Sequence, residues 1–130
     1  MKLKPIIELA DYQILRNLIK RNQDQKVLKE AKQLSDELDR AIVIKNEELN
    51  PKIIRIGSEI EIEEAKSKRK MKIQLVLPEE ANLPAGKVSL LAPLGVALIG
   101  FSENDEVNWE MPGGSTMIKI LNVSNEHLVE

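Results

Sequence analysis

The chain has 130 residues, of which 42% are hydrophobic and only 2% are aromatic, and its formal charge is −2. This length suits one ordinary domain or a small domain with an appendage, and the hydrophobic content excludes wholesale disorder. Modules that stack nucleic-acid bases on several exposed rings are excluded, because the chain has one Trp, one Tyr and one Phe. With no cysteine and one histidine, it can form neither a disulfide nor a metal site of the Cys or His-pair type.

The compartment is predicted from two absences in the sequence. No apolar run of signal-peptide length opens the chain, and no segment approaches the ~20 apolar residues of a membrane span. We therefore expect a cytoplasmic protein without a membrane partner.

Residues 1–50 follow a helical period that is interrupted once. Apolar residues recur at three- and four-residue steps first from Leu9 to Ile19 and again from Val27 to Ile42. Two such stripes joined by a short polar loop predict an antiparallel, coiled-coil-like hairpin with arms of about 14 and 18 residues, roughly 20 to 27 Å long. The tip of this hairpin would carry Asn22, Gln23, Asp24 and Gln25.

After Pro51 the apolar period changes to two, which is typical of strands. Alternation predicts strands over residues 54–62, 71–77, 87–91, 106–111 and 116–123, with a short helix over 94–99. Pro112 to Gly114 predict a tight turn, because Gly supplies the positive φ that such turns require. The predicted fold class is α+β, with a helical hairpin domain over 1–50 and an antiparallel sheet with one short helix over 51–130.

The search for catalytic chemistry finds no constellation. His127 lies in a polar tail that is most simply solvated surface, and the serines lack a recognisable base. We therefore expect no catalytic residue, no cofactor and no metal, and we expect the chain not to be an enzyme. Residues 66–70 (KSKRK) could meet a phosphate backbone, but a solvated hairpin turn that protects a sheet edge is the plainer interpretation.

Three blocks in the second half carry a resemblance to a known family. They are residues 75–81 (LVLPEEA), residues 88–100 (VSLLAPLGVALIG), and residues 105–107 (DEV) with 109–114 (WEMPGG). In this order and spacing they resemble the Gre and Rnk family of bacterial RNA polymerase secondary-channel factors. Residues 37–41 (ELDRA) followed by 47–49 (EEL) look more like Rnk, the regulator of nucleoside diphosphate kinase, than like a Gre factor.

The resemblance implies an FKBP-like carboxy-terminal domain that docks on the coiled coil of the polymerase β′ subunit at the rim of the secondary channel. In Gre factors the hairpin is long, and acids at its tip help to hold a magnesium ion for cleavage of backtracked RNA. Here the hairpin is shorter and its predicted tip carries one carboxylate, Asp24, whereas a hard divalent cation takes several oxygen ligands. Candidate docking residues, by their position in the motif, are Glu79, Glu80, Ser89, Ala92, Pro93 and Leu94.

Three functions follow from these observations. The leading hypothesis is a polymerase-binding transcription regulator without transcript-cleavage activity or sequence-specific contact with nucleic acid. The second is a Gre-type cleavage factor that uses Asp24. The third is a small interaction domain whose partner is not RNA polymerase.

Overall fold

The computed structural model describes residues 4–21, 28–45, 50–111 and 114–125. Among these residues, no helix is both long and apolar enough to cross a membrane. The helices and strands run in the order β1 (Ile6–Glu8), α1 (Leu9–Arg21), α2 (Leu28–Arg40), β2 (Ile42–Ile44), β3 (Glu59–Glu64), β4 (Lys70–Val76), β5 (Lys87–Ser89), α3 (Pro93–Leu98), β6 (Glu106–Met111) and β7 (Gly114–Ser124).

Five strands form the main sheet in the order β5-β4-β3-β7-β6. Strand β3 pairs antiparallel with β4 and β7, and β6 pairs antiparallel with β7, whereas β4 and β5 are parallel. Because side chains alternate along a strand, Ile60 and Ile62 are buried on one face while Glu59 and Glu61 lie on the other. Helix α3 contacts both edge strands, β5 and β6, and so lies across the apolar face.

Helices α1 and α2 form the predicted hairpin. Leu15 and Leu18 of α1 are buried together with Leu34 and Leu38 of α2, and each helix has 13 residues, about 20 Å at 1.5 Å per residue. Polar contacts reinforce the same face, because the Arg16 guanidinium donates to Ser35 Oγ and Asp39 of α2.

The hairpin begins and ends in a small parallel sheet that the sequence did not predict. Strand β1 precedes α1 and pairs with β2, which follows α2, with Ile6 opposite Ile42. The prediction of a helix as far as Ile42 is therefore wrong at its end. The run Ile42-Val43-Ile44 is β-branched throughout, which favours a strand over a last helical turn.

Two further details of the second half differ from the predicted alternation. Residues 54–56 are not part of a strand: Ile54 exchanges backbone hydrogen bonds with Gly100 and Phe101, and Gly57 then turns the chain at φ +92°. The sheet is also not purely antiparallel, because two short 3₁₀ turns, Pro78–Glu80 and Leu83–Ala85, carry the chain back to place β5 parallel to β4. The predicted α+β class, with a helical hairpin and a mostly antiparallel sheet, is confirmed.

Candidate functional site

The second block, residues 88–100, runs from β5 into helix α3. Strand β5 is one of the two edge strands of the main sheet. The 3₁₀ turns before β5 and the helix α3 after it all contact this strand. We call the surface formed by Glu79, Glu80, Leu83, Ser89, Ala92 and Pro93 the β5 edge. Glu79, Glu80, Leu83 and Pro93 are exposed, and Ser89 and Ala92 are half-buried.

Gly95 fixes the distance between α3 and β5. A Cβ atom at this position would lie 2.2 Å from the Ser89 carbonyl oxygen and 3.1 Å from both Leu90 Cα and Leu75 Cδ1. No real side chain tolerates the first of these distances, so only glycine lets the helix lie this close to the strand end. The glycine of the 88–100 block is therefore a packing requirement of the β5 edge.

The turn that leads into α3 is held by local hydrogen bonds. Ser89 Oγ accepts the Leu91 N–H at 3.0 Å, and the Ser89 carbonyl accepts the Ala92 N–H at 3.0 Å. Ala92 is extended, as a residue before proline must be, and Pro93 occupies the first turn of the helix, where a missing N–H costs nothing. Pro93 is therefore presented to solvent on a short, rigid corner.

Of the six predicted docking residues, Leu94 alone is buried, at 8% exposure. Its side chain belongs to the core under α3, so it supports the corner from beneath. Leu83, which the sequence analysis did not select, is 76% exposed and is the most exposed of the large hydrophobic residues that the structure describes. It lies at the tip of a loop closed by paired backbone hydrogen bonds between Asn82 and Lys87.

A buried ionic cluster joins the hairpin to the sheet domain. The Arg55 guanidinium lies 3.5 Å from Glu8 Oε1 and 3.3 Å from Asp11 Oδ2, and Asp11 Oδ2 also accepts the Ile56 N–H at 3.3 Å. Glu8 and Asp11 are both nearly buried. Burial raises the pKa of the Asp11 carboxyl, and the neighbouring Arg55 charge opposes this rise without cancelling it.

Backbone contacts strengthen the same junction. The Ile6 N–H donates to the Gly100 carbonyl at 2.8 Å, and a Cβ on Gly100 would lie 2.5 Å from Pro5 Cβ. The hairpin is therefore anchored by charge and by close backbone packing. Sequence reasoning missed Glu8, Asp11 and Arg55, since three scattered charges carry no local pattern that would place them together.

The predicted hairpin tip, Asn22, Gln23, Asp24 and Gln25, lies outside the described residues, as does His127. Within the described ranges, no group of three or more His, Asp or Glu side chains is arranged to hold a metal ion.

Known proteins resemble this chain in both structure and sequence. A solved transcription elongation factor GreA/GreB from Nitrosomonas europaea matches with a TM-score of 0.75 and 30% identity, covering 95% of this chain and 99% of that one. Transcription elongation factor GreA from Rhodospirillum rubrum is 34% identical over 68% of this chain, and GreA from Syntrophus aciditrophicus is 35% identical over 70%. The chain spans 57% and 56%, respectively, of the lengths of these two curated relatives.

These relatives overturn one expectation from the sequence. The chain was expected not to be an enzyme, because no catalytic constellation was found in it. That expectation is wrong, because the relatives are named transcription elongation factor GreA, and the sequence analysis had itself linked Gre factors to RNA cleavage. The lack of a catalytic constellation in the sequence was not a sufficient ground for excluding an activity. The closer likeness to Rnk stays a prediction.

A family profile describes the second half of the chain directly. The profile described as "Transcription elongation factor, GreA/GreB, C-term" matches residues 49–125, which is more than half of the chain. This range includes the whole main sheet, α3 and the β5 edge. The chain therefore belongs to the GreA/GreB transcription elongation factor family.

Proposed function

We propose that this protein binds bacterial RNA polymerase at the rim of the secondary channel and regulates transcription elongation from there. The observation that carries the proposal is the β5 edge, where family-matched residues form a rigid, exposed corner held by Gly95 and Ser89. We propose the coiled coil of the β′ subunit as the surface that it meets. A cytoplasmic location follows from this partner.

The chemistry of the β5 edge suits docking on a protein. Leu83 and Pro93 provide exposed apolar groups, and Glu79 and Glu80 add two negative charges beside them. Apolar anchors bordered by charged residues are the usual composition of a protein interface, in which the anchors give affinity and the charges give orientation and association rate. Because β5 has only three residues, the edge offers little backbone for strand addition, so side chains would dominate the contact.

The hairpin is the second part of the proposal. We propose that residues 1–50 and 51–130 act as two units, with the second gripping the polymerase and the first directed toward the channel. The Glu8–Asp11–Arg55 cluster and the Gly100 contact support a fixed direction for the hairpin. A docked sheet domain would then determine where the hairpin tip lies.

The direct test is co-elution of the full chain with core RNA polymerase. The double variant Glu79→Lys and Glu80→Lys should reduce retention at least tenfold, because it reverses two exposed charges on the β5 edge. The matched control, Asp36→Lys with Glu106→Lys, reverses two exposed charges elsewhere and should be retained like the wild type. Absence of wild-type retention at micromolar protein would refute the proposal, and equal loss in both variants would refute the assignment to the β5 edge.

Stimulation of transcript cleavage is the second candidate function, and the names of the curated relatives favour it. If the chain acts in this way, wild-type protein should shorten the RNA of a backtracked elongation complex in the presence of magnesium. Asp24→Asn should abolish the shortening if the Asp24 carboxylate supplies the metal ligand, because an amide binds a hard cation more weakly. Gln25→Ala serves as the neighbouring control.

A further inference from the structure

The turn between β3 and β4 concentrates positive charge at the end of the sheet away from the β5 edge. Four of the five residues from 66 to 70 are cationic, and all five are exposed. This turn precedes β4, whereas the β5 edge begins after the seven residues of that strand, a separation of about 20 Å at 3.3 Å per residue. The feature is therefore distinct from the proposed docking surface.

The next feature is the pairing of the cations in this turn. Among the described residues, no ion pair involves Lys66, Lys68, Arg69 or Lys70. The nearest acid in sequence, Glu64, accepts the Ser67 hydroxyl. Lys70 lies opposite Glu63 in the β3–β4 register, so among the described residues the positive charge of the turn that forms no ion pair and faces no strand partner is that of Lys66, Lys68 and Arg69, in a chain of net charge −2.

The turn is also held in a defined shape. The Glu64 N–H donates to the Arg69 carbonyl at 2.9 Å, the Lys68 N–H donates to the Glu64 carbonyl at 2.9 Å, and Ser67 Oγ accepts the Arg69 N–H at 3.2 Å. Lys68 has φ +60°, a left-handed conformation in which Gly or Asn is far commoner than Lys.

The adjoining strands carry both signs of charge. Lys72, the second residue after Lys70, projects on the same side of β4 but lies opposite Glu61, and Lys119 lies between Glu63 of β3 and Glu106 of β6. Both lysines are exposed. We therefore restrict the name cationic turn to the surface formed by Lys66, Lys68, Arg69 and Lys70.

We propose that the cationic turn binds the phosphate backbone of a nucleic acid without reading its sequence. Several lysines and an arginine on a fixed turn fit closely spaced phosphates, and the released counterions would drive the binding. Of the chain's three aromatic residues, Phe101 is buried, and Tyr12 and Trp109 are partly buried against the core. Residues 66–70 contain no aromatic ring on which a base could stack, so the proposed contact is with the backbone.

The test compares fluorescence anisotropy of a labelled single-stranded RNA and of a labelled DNA duplex, titrated with the full chain. The variant carries Lys66→Gln, Lys68→Asn and Arg69→Gln, with Asn chosen because it tolerates φ +60°. The matched control, Lys45→Gln with Lys52→Gln and Lys87→Gln, removes three exposed positive charges elsewhere. Urea unfolding of all three proteins checks that folding is preserved.

The wild type should bind, and the variant should lose at least tenfold in affinity at low salt while the control stays within about twofold. For RNA, the slope of the logarithm of the association constant against the logarithm of salt concentration should be smaller in magnitude by about 2 in the variant. This value assumes that three phosphate contacts are lost and that each contributes about 0.7 to the slope. The nucleic acid that binds more tightly identifies the source of the phosphates. Equal binding by variant and wild type, or no wild-type binding, would overturn the proposal.

A further titration adds poly-glutamate to the RNA complex at an equal concentration of charge. If poly-glutamate displaces the RNA, the turn binds acidic protein surfaces instead, and the nucleic-acid proposal is overturned. The proposal does not rest on polymerase docking. Retention of the triple variant on core polymerase is expected to equal that of the wild type, so failure of one proposal is distinguishable from failure of the other.

Discussion

Replacement of Arg55 by Met tests the ionic cluster that joins the hairpin to the sheet domain. The guanidinium neutralises two carboxylates, Glu8 and Asp11, which are 5% and 6% exposed. Removing one partner of a buried ion pair costs about 3–5 kcal/mol, because the remaining charge stays buried without compensation. In the variant the backbone N–H groups of Ala10 and Ile56 still donate to these carboxylates. We therefore expect the free energy of unfolding to fall by about 3 kcal/mol, near the lower limit of that range.

Urea unfolding at neutral pH measures this loss. The matched control is Lys52→Met, which breaks a long, partly exposed pair with Glu103 at 3.7 Å and should cost less than about 1 kcal/mol. Adding Glu8→Gln and Asp11→Asn to Arg55→Met removes the buried charges but keeps acceptor oxygens, and should restore more than half of the lost free energy of unfolding. Equal losses in Arg55→Met and Lys52→Met, or no recovery in the triple variant, would refute the reasoning.

Three further outcomes are expected. Gly95→Ala should lower the free energy of unfolding by about 3 kcal/mol, measured in urea, because the new Cβ would lie 2.2 Å from the Ser89 carbonyl oxygen. The same variant should also be retained less well on polymerase, measured by co-elution. The pKa of Asp11 in the folded protein is raised above its ordinary value of 3.8, so the free energy of unfolding should decline as the pH rises from 3.8 to that higher pKa. Unfolding at successive pH values measures this decline, and Asp11→Asn should flatten it. Leu34→Ala, at a fully buried position between the helices, should cost about 3 kcal/mol in urea unfolding, against less than about 1 for exposed Ile14→Ala.

Periodicity predicted most of the fold because most of its elements bury one regular stripe. The helical hairpin and strands β4, β6 and β7 show clean periods of 3.6 or 2 and occur near their predicted positions. The β1–β2 pair was missed because a three-residue strand shows almost no alternation, and because its partner lies more than thirty residues away. The parallel placement of β5 was missed because it depends on two 3₁₀ turns that have no hydrophobic period.

The candidate site was predictable only where it coincided with a motif. Glu79, Glu80, Ser89, Ala92 and Pro93 were selected because the family blocks contain them, and all five surround β5. That they make the docking contacts stays a prediction. The sequence could not show which of the apolar residues near β5 are exposed. Leu94 is buried and Leu83 is exposed because of the way the chain turns around β5, and no sequence pattern records that turn.

The central claim is that this chain occupies the site of a Gre factor on RNA polymerase, and competition measures it most directly. A labelled GreA bound to core polymerase is titrated with the unlabelled full chain, and the bound label is followed. The account predicts complete displacement at micromolar chain, with at least tenfold more of the Glu79→Lys, Glu80→Lys variant required. Binding of the chain to polymerase with the label still fully bound would contradict the account.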